Sequence, residues 1–546
     1  MIKSFIRRNN ISSNRISFRL KLPEVLDSSF ENNKPVKDQS AILHASKANI
    51  TQEEIELIES SDFIKNLLRI KPKISIDEHH EDVANIMQYV RYKNNLLDIK
   101  TKSVGKIPSP YEMIQSLDYN NNPSQIPLWK FPRLSVTKLL TQQWCELKEF
   151  YKIYSKQGYT EITSAMKRGN DIHFNLELAT HAPLDFQEID ESKVYGNLTY
   201  IDTEANKIME GIVRLMNLFL NGEAREIYLN FFLNKEFGVL ETEKPSKDDI
   251  LTTGIVDYIA LREKQNTAGL APLKLSIPTD DINEFLSYLE KNTELLKTYY
   301  DLSVCDVKTR TTPYLPQSSV INASKQQVMI YYKMLKVLGK STKQSLAFLE
   351  EYFERKNINI DQPLSPQMLV TWIGFYRFLR PDFIKIRDGI YYQQENKSEL
   401  DLNKSVYNQL FDLKQSQDLF ILKDHLEDTT PFLKTWQSPV TIRYLLKILS
   451  RLFSFISSFQ SIYPGHLKVQ YYSKLSKENE EHMFHEYKFE FNEEELNSAV
   501  EDSLKFWLGK RDPKTIELNP INLEKKCKWC EFQNYCSWKS RIEKLA

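Results

Sequence analysis

Net charge is missing from this chain: 73 Lys and Arg balance 73 Asp and Glu over 546 residues. Nucleic-acid binding cannot be inferred from such a balance, and any DNA channel would have to be a local basic stripe. No run of about 18 apolar residues occurs, which excludes a hydrophobic membrane-spanning helix. Cysteine is scarce, five in all, and that argues against a secreted disulfide framework and for a reducing compartment. No Asp or Glu precedes Glu24, and no continuous apolar segment follows the early basic residues, which excludes a secretory signal. Internal repeats are absent. A complete phosphate-binding loop is absent too. Gly339-Lys340-Ser341-Thr342 looks like the end of one, but Met334 stands where the first glycine belongs, and the segment follows a helix pattern. An ATPase is thereby excluded.

What is present is a globular composition, 41% hydrophobic and 12% aromatic, with length enough for roughly two to four domains. Residues 1–24 carry Lys3, Arg7, Arg8, Arg15, Arg19 and Lys21 among serines and scattered Ile, Phe and Leu. Such a basic, amphipathic leader, acid-free through Pro23, has the composition of a mitochondrial transit peptide. Residues 25–132 form a polar, Asn/Lys-rich extension with one amphipathic helix pattern near 52–70. From 133 to 546 the patterning is that of one folded domain. Ser135 is a good N-cap for a helix through SVTKLLTQQWCELKEFYKIY. Helices are predicted at 169–177 and 203–220, and β-branched and aromatic strands at 225–233, 254–261 and 302–308. The polar segments 241–249 and 263–297 read as a turn and an insertion. A helix at 322–338 precedes a mostly helical insertion over about 340–460, with a loose polar stretch at 391–405. A late hairpin (470–474 and 486–491) and a helix at 493–509 complete an α/β fold with a small mixed central sheet flanked by helices.

Asp257 ends one apolar run and Asp306 lies inside another, Leu302-Ser-Val-Cys-Asp-Val. A carboxylate so placed costs several kcal/mol unless it is paired or metal-bound. Lys308 follows Asp306 by two, so both side chains leave one face of a strand. An Asp-x-Lys alone is usually a solvated salt-bridged strand. Two such apolar strands followed by a helix, however, form the arrangement that holds Mg2+ against a phosphodiester. Gln327 and Tyr331 share a helical face and could orient water or grip a phosphate, although an inward Tyr is more often core. His173 and Glu177 also share a face, His173 as a further metal ligand and Glu177 as the carboxylate that orients it. Arg310, just past Lys308, is a candidate phosphate contact. These residues point to a metal-dependent nuclease.

Cys527-x-x-Cys530-x5-Cys536 is a compact thiolate triplet, with Cys145 far upstream. The spacing suits either tetrahedral zinc or an iron–sulfur cluster, and one distant ligand beside a tight triplet leans towards iron–sulfur. Closing so long a loop removes chain entropy worth on the order of 5–6 kcal/mol, so the site would act as a staple. Trp144, Trp529 and Trp538 flank these cysteines and could shield them from water. Cys305, in an apolar strand, reads as a small core residue.

Taken together, SVTKLLTQQWCELKEFY, Gly169-x3-His173-x3-Glu177, Gly254-Ile-Val-Asp257, Asp306-Val-Lys308-Thr-Arg310, Gln327-x3-Tyr331 and FEFNEEELNSAVEDSLKFWLGKRDP before the cysteine triplet resemble the exonuclease V family. That family is a RecB-like branch of the PD-(D/E)xK nucleases. The resemblance spans roughly 133–540 and, with the basic leader, is to the fungal mitochondrial type. It implies a PD-(D/E)xK core with its ends tied by a four-cysteine cluster. It also implies a monomeric, Mg2+-dependent (Mn2+ can substitute) exonuclease of the mitochondrial matrix, serving mitochondrial DNA maintenance. Such an enzyme takes single-stranded DNA, prefers 5′ ends and releases short oligonucleotides, with a single-strand-binding protein as a partner. By the same resemblance Asp257, Asp306 and His173 are metal ligands, Lys308 the catalytic lysine, Gln327 and Tyr331 the motif after it. Cys145, Cys527, Cys530 and Cys536 are the ligands of a [4Fe-4S] cluster. The 263–297 insertion is longer than a compact family member needs. Two rival readings are a flap or repair endonuclease of the same fold and a catalytically silent DNA-binding platform.

Overall fold

A computed structural model of the chain describes residues 108–119, 133–140, 145–154, 164–181, 198–264, 276–390, 432, 436–459, 466–474, 481–516, 522–534, 536 and 538–539. The expected leader, most of the polar extension with its helix near 52–70, the stretch 391–405 and Trp144 lie outside these residues. Two compact units are distinguished. The larger takes in Ser109–Cys145 and the chain from Thr160 to Asp512, and the smaller takes in Glu146–Tyr159 and Pro513 onward. No helix among the described residues is long and apolar enough to cross a membrane.

In chain order the larger unit begins with α1 (Pro110–Tyr119), β1 (Leu134–Ser135) and α2 (Val136–Leu139). Ser135 caps α2 as expected, its side chain accepting from Lys138 N. The helix does not continue. It stops at Leu140, and the next helix, α3 (Glu146–Tyr154), belongs to the smaller unit. The long helix read from the sequence is described as two, α2 and α3, and 141–144 lie outside the described residues. Ser135 is held extended by parallel pairing of β1 with β3, and Val136 and Leu139 are fully buried. Then come α4 (Ser164–Thr180), α5 (Tyr200–Asn221), β2 (Glu223–Leu233), β3 (Ile250–Glu263), α6 (Ile282–Tyr299), β4 (Tyr300–Arg310) and α7 (Ser318–Leu338). The segment 263–297 is more than an inserted loop. Asp281 accepts from Asn283 N and Glu284 N, and this N-cap starts α6, which feeds directly into β4. Helices α8 (Thr342–Arg355), α9 (Pro366–Phe375), α10 (Arg380–Arg387) and α11 (Ile442–Ser458) follow, then β5 (Leu467–Lys474), β6 (Glu481–Phe489) and α12 (Glu493–Trp507).

The six strands make one mixed sheet, and the late hairpin extends it through β5, parallel to β4. Helix α7 packs across β2 to β5, α4 against β2 and β4, and α5 and α8 against β2. In the helical insertion Trp372, Tyr376, Phe383, Trp436 and Tyr444 are fully buried. Within it the fully buried Asp382 accepts from Tyr444 Oη at 3.0 Å and from Asn283, tying α10 and α11 to α6.

The feature that positions the site is a gap. β2 lines one edge of β3 from Ile250 to Ala260, so β1 and β4 must share the other edge. β1 takes Thr252 and Thr253, and β4 takes Tyr258 to Glu263. Gly254 to Asp257 lie between them, without a partner strand on that edge among the described residues. On the β2 side, too, one rung is skipped. Arg225 pairs with Tyr258 and Ile227 with Val256, but Glu226 does not pair with Asp257.

Candidate active site

Asp257 therefore sits where β3 releases both neighbours, and Glu226 and Asp306 stand opposite it on β2 and β4. Residues facing each other across a rung put their side chains on the same face, with Cβ atoms about 5 Å apart. The backbone groups left by the gap are satisfied by the motif side chains themselves. Val307 N–H donates to Asp257 Oδ2 at 2.7 Å, and Ile255 N–H donates to the Tyr331 hydroxyl. Gly254 is required here for space: a Cβ on it would lie 2.5 Å from Tyr331 Cε1. Gly169 does the same for α4, where a Cβ would meet Thr309 Oγ1 at 2.8 Å.

Asp306 has no solvent exposure, and Lys308 Nζ lies 2.9 Å from its Oδ1 and 2.8 Å from its Oδ2. The Oδ2 contact is an ion pair only, since that oxygen has no hydrogen-bond partner. Lys308 also donates to Gln327 Oε1 at 3.1 Å, and Gln327 Nε2 donates to Tyr331 Oη at 2.9 Å. A lysine only donates, so it fixes which way the amide turns. Gln327 and Tyr331 are thus brought to the site, but buried behind the lysine, which they hold in place. Burial works against the Lys308 ammonium, yet Asp306 and Asp257 outweigh it and keep its pKa above the ordinary value. Burial and the same carboxylates push the Tyr331 phenol well up, so it stays protonated. Arg310, two further along β4, leaves the same face and is half-buried.

His173, on α4, reaches the site as expected, but the carboxylate beside it is not Glu177. Glu177 pairs with Arg214 at 2.7 Å, and the acid beside His173 is Glu226, with Oε1 3.5 Å from Nδ1. Arg214 also donates to the Glu226 carbonyl at 2.5 Å, so one side chain of α5 clamps both α4 and the skipped rung. Glu226 has φ 55, a left-handed backbone that costs a non-glycine residue of order 1–3 kcal/mol and tends to persist at functional sites. Donor atoms of His173, Glu226 and Asp257 all lie within 4.8 Å of one another, the one such group among the described residues. Sequence reading overlooked Glu226. Its local signal was slight, an acid inside an apolar and aromatic strand.

Burial first, then Asp306, push the Asp257 carboxyl up to about 7, against the pull of His173 and Lys308. Three carboxylates thus face one lysine and one imidazole, and the excess negative charge suits a hard divalent cation. A set of Asp, Glu and His side chains with a lysine alongside fits that group. It can neutralise a phosphate, hold water near it and supply a proton donor.

Cysteine chemistry belongs to other residues. Cys305 is fully buried with Tyr258, Ala260 and Val307, and its thiol is pushed well up by burial, as a core residue's should be. Cys145 is half-buried in the larger unit. In the smaller unit Cys527 closes a π-helical turn (Leu523–Cys527), Cys530 N–H donates to the Cys527 carbonyl at 3.1 Å, and Lys539 N–H donates to Cys536 Sγ at 3.5 Å. None of the four is in a disulfide. Half-buried cysteines outside any disulfide, Cys536 with an N–H···S contact, fit thiolate ligands of a metal or cluster. Trp529 is 79% exposed and so shields nothing, contrary to expectation.

A family model described as exonuclease V, a 5′ deoxyribonuclease, matches residues 125–539. The chain is similar to curated proteins named mitochondrial exonuclease V. The one from Vanderwaltozyma polyspora is 30% identical over 457 residues, covering 80% of this chain and 79% of the relative. That from Kluyveromyces lactis is 30% identical over 464 residues, 80% and 81% of the two chains. That from Candida glabrata is 32% identical over 422 residues, 75% and 80%.

Proposed function

Since the chain belongs to the exonuclease V family and is a nuclease, we propose that it degrades single-stranded DNA from a free end, 5′ preferred, with Mg2+. The observation that carries the reading is the gap in the sheet. There Asp257 and Asp306 face each other and Lys308, its charge retained by both, is aimed by Gln327 and Tyr331. These features support reading the site as a PD-(D/E)xK arrangement. His173, Asp257 and Asp306 would hold the cation, which supplies charge for the scissile phosphate and lowers the pKa of a bound water. Mn2+ fits the same donors. Lys308 donates to the attacking water or a phosphate oxygen, and Asp306 keeps the ammonium in place. Arg310 contacts a phosphate further along the strand. Short oligonucleotides are the proposed products.

The same proposal assigns Cys145, Cys527, Cys530 and Cys536 to a [4Fe-4S] cluster. It takes 1–24 as a transit peptide and places a monomeric enzyme in the mitochondrial matrix, maintaining mitochondrial DNA beside a single-strand-binding protein. The names of the relatives support the compartment. The deciding experiment uses anaerobically purified protein with Mg2+ and an oligonucleotide labelled at either end, linear or circularised. Shortening of the linear strand alone, with the 5′ label released first, supports the proposal. Cleavage of the circle would make the enzyme an endonuclease, and binding without cleavage a platform. A brown protein with absorbance near 400 nm carries iron–sulfur, and a colourless one with stoichiometric zinc would overturn the cluster.

A further inference from the structure

Glu226 has three properties that a bystander on a strand would not combine. It stands opposite Asp257 in the rung the sheet skips, on the face from which Asp257 and Asp306 also project. Its backbone is held at φ 55 although it carries a full side chain. Its carbonyl is gripped by Arg214, the side chain that also pairs with Glu177 on the helix bearing His173. The left-handed backbone accompanies an arrangement in which its carboxylate comes within 4.8 Å of donors on both His173 and Asp257. Opposite ligands of a six-coordinate Mg2+ stand about 4.2 Å apart, so donors within 4.8 Å of one another need only a small approach to share one coordination sphere. The 3.5 Å from Oε1 to His173 Nδ1 is long for an orienting hydrogen bond. We infer that Glu226 is a ligand of the divalent cation in its own right, joining His173 and Asp257. This rests on the metal-site reading above and adds to it: β2 contributes a donor as well as β3, β4 and α4.

Direct Mn2+ binding tests it, read from the electron-spin-resonance signal of free Mn2+ in titrations of the full-length protein without DNA. Glu226→Gln keeps the size and removes the charge. Glu226→Gly removes the side chain and relieves the backbone, so the cation-free melting temperature should hold or rise. Both variants should bind Mn2+ at least tenfold more weakly. Weakening of less than tenfold in the Gln variant would overturn the assignment. Asp257→Asn separates the two levels of the argument. If it loses Mn2+ affinity while Glu226→Gln does not, only the role of Glu226 fails. If Asp257→Asn too binds like wild type, the cation is elsewhere and the site reading fails with it.

Discussion

Replacing Gly254 by alanine would put a methyl carbon 2.5 Å from Tyr331 Cε1 and 2.9 Å from Val136 Cγ2. Carbon atoms rest about 3.5–4.0 Å apart, so the tyrosine ring must retreat by about 1 Å. Tyr331 is 2% exposed, packed within α7, and has no vacant side to move into without cost. Overpacking of this kind costs about 1–3 kcal/mol, or a melting temperature lower by roughly 1–4 °C for a unit of this size. The displaced hydroxyl takes Gln327 with it, and Gln327 holds Lys308. A 1 Å misplacement at the reacting centre can lower a rate by about a hundredfold. Gly211 on α5 supplies the control: a Cβ there would meet only Leu449 Cδ1, at 3.8 Å. Gly211→Ala should therefore be neutral or more stable by about 0.5–1 kcal/mol. Thermal melting and single-turnover cleavage of a single-stranded oligonucleotide at saturating Mg2+ read both effects. A Gly254→Ala protein with wild-type melting and rate would refute the coupling from strand to lysine.

Asp306→Ala should fold, since Lys308 keeps Gln327 and Asp257 as partners, yet cleave at least about a hundredfold more slowly; wild-type cleavage would contradict the assignment. Arg214→Met strands the Glu177 carboxylate, 9% exposed, and should cost about 3–5 kcal/mol in urea unfolding. Asp257 sets a pH dependence. Its folded pKa of about 7 lies above the ordinary 3.8, so in EDTA its contribution to stability is full below about pH 3.8 and lost as pH rises through about 7. Mg2+ competes with that proton, and affinity should climb with pH and level off above about 7; Mg2+ titrations at pH 6 and 8 giving the reverse order would be decisive against it. Cys530→Ser should lose iron, sulfide and solubility together, as acid-labile sulfide analysis would reveal.

The strands of the site were legible because charge inside an apolar run is a local signal. Asp257, Asp306 and Lys308 each interrupt such a run, and the spacing of two puts Asp306 and Lys308 on one face. Gln327 and Tyr331 were found by helical spacing, but their task of aiming the lysine depends on distances across the fold. Glu226 and the exchange of partners between Glu177 and Arg214 were not legible. They follow from register between β2 and β3 and from the placing of α4 and α5, and no window of neighbouring residues contains either. The break after Leu139 escaped for a related reason. The helical pattern runs on past 140, whereas the backbone of Leu140 leaves the helical region at φ −91, ψ 62, which no residue type in that stretch announces. Helix α6 was missed because its polar face dominates the composition of the segment, while Phe285, Leu286 and Leu289 are buried at spacings only a helix satisfies.

The central claim is that the gap on the edge of β3 between β1 and β4 holds the cation that cleaves DNA. Anomalous diffraction at the manganese edge, from crystals soaked in Mn2+, locates that cation directly. The account expects a peak about 2.0–2.4 Å from carboxylate oxygens of Asp257 and Asp306, beside Lys308 and abolished by Asp306→Ala. A fully occupied Mn2+ bound elsewhere, with this gap empty, would contradict it.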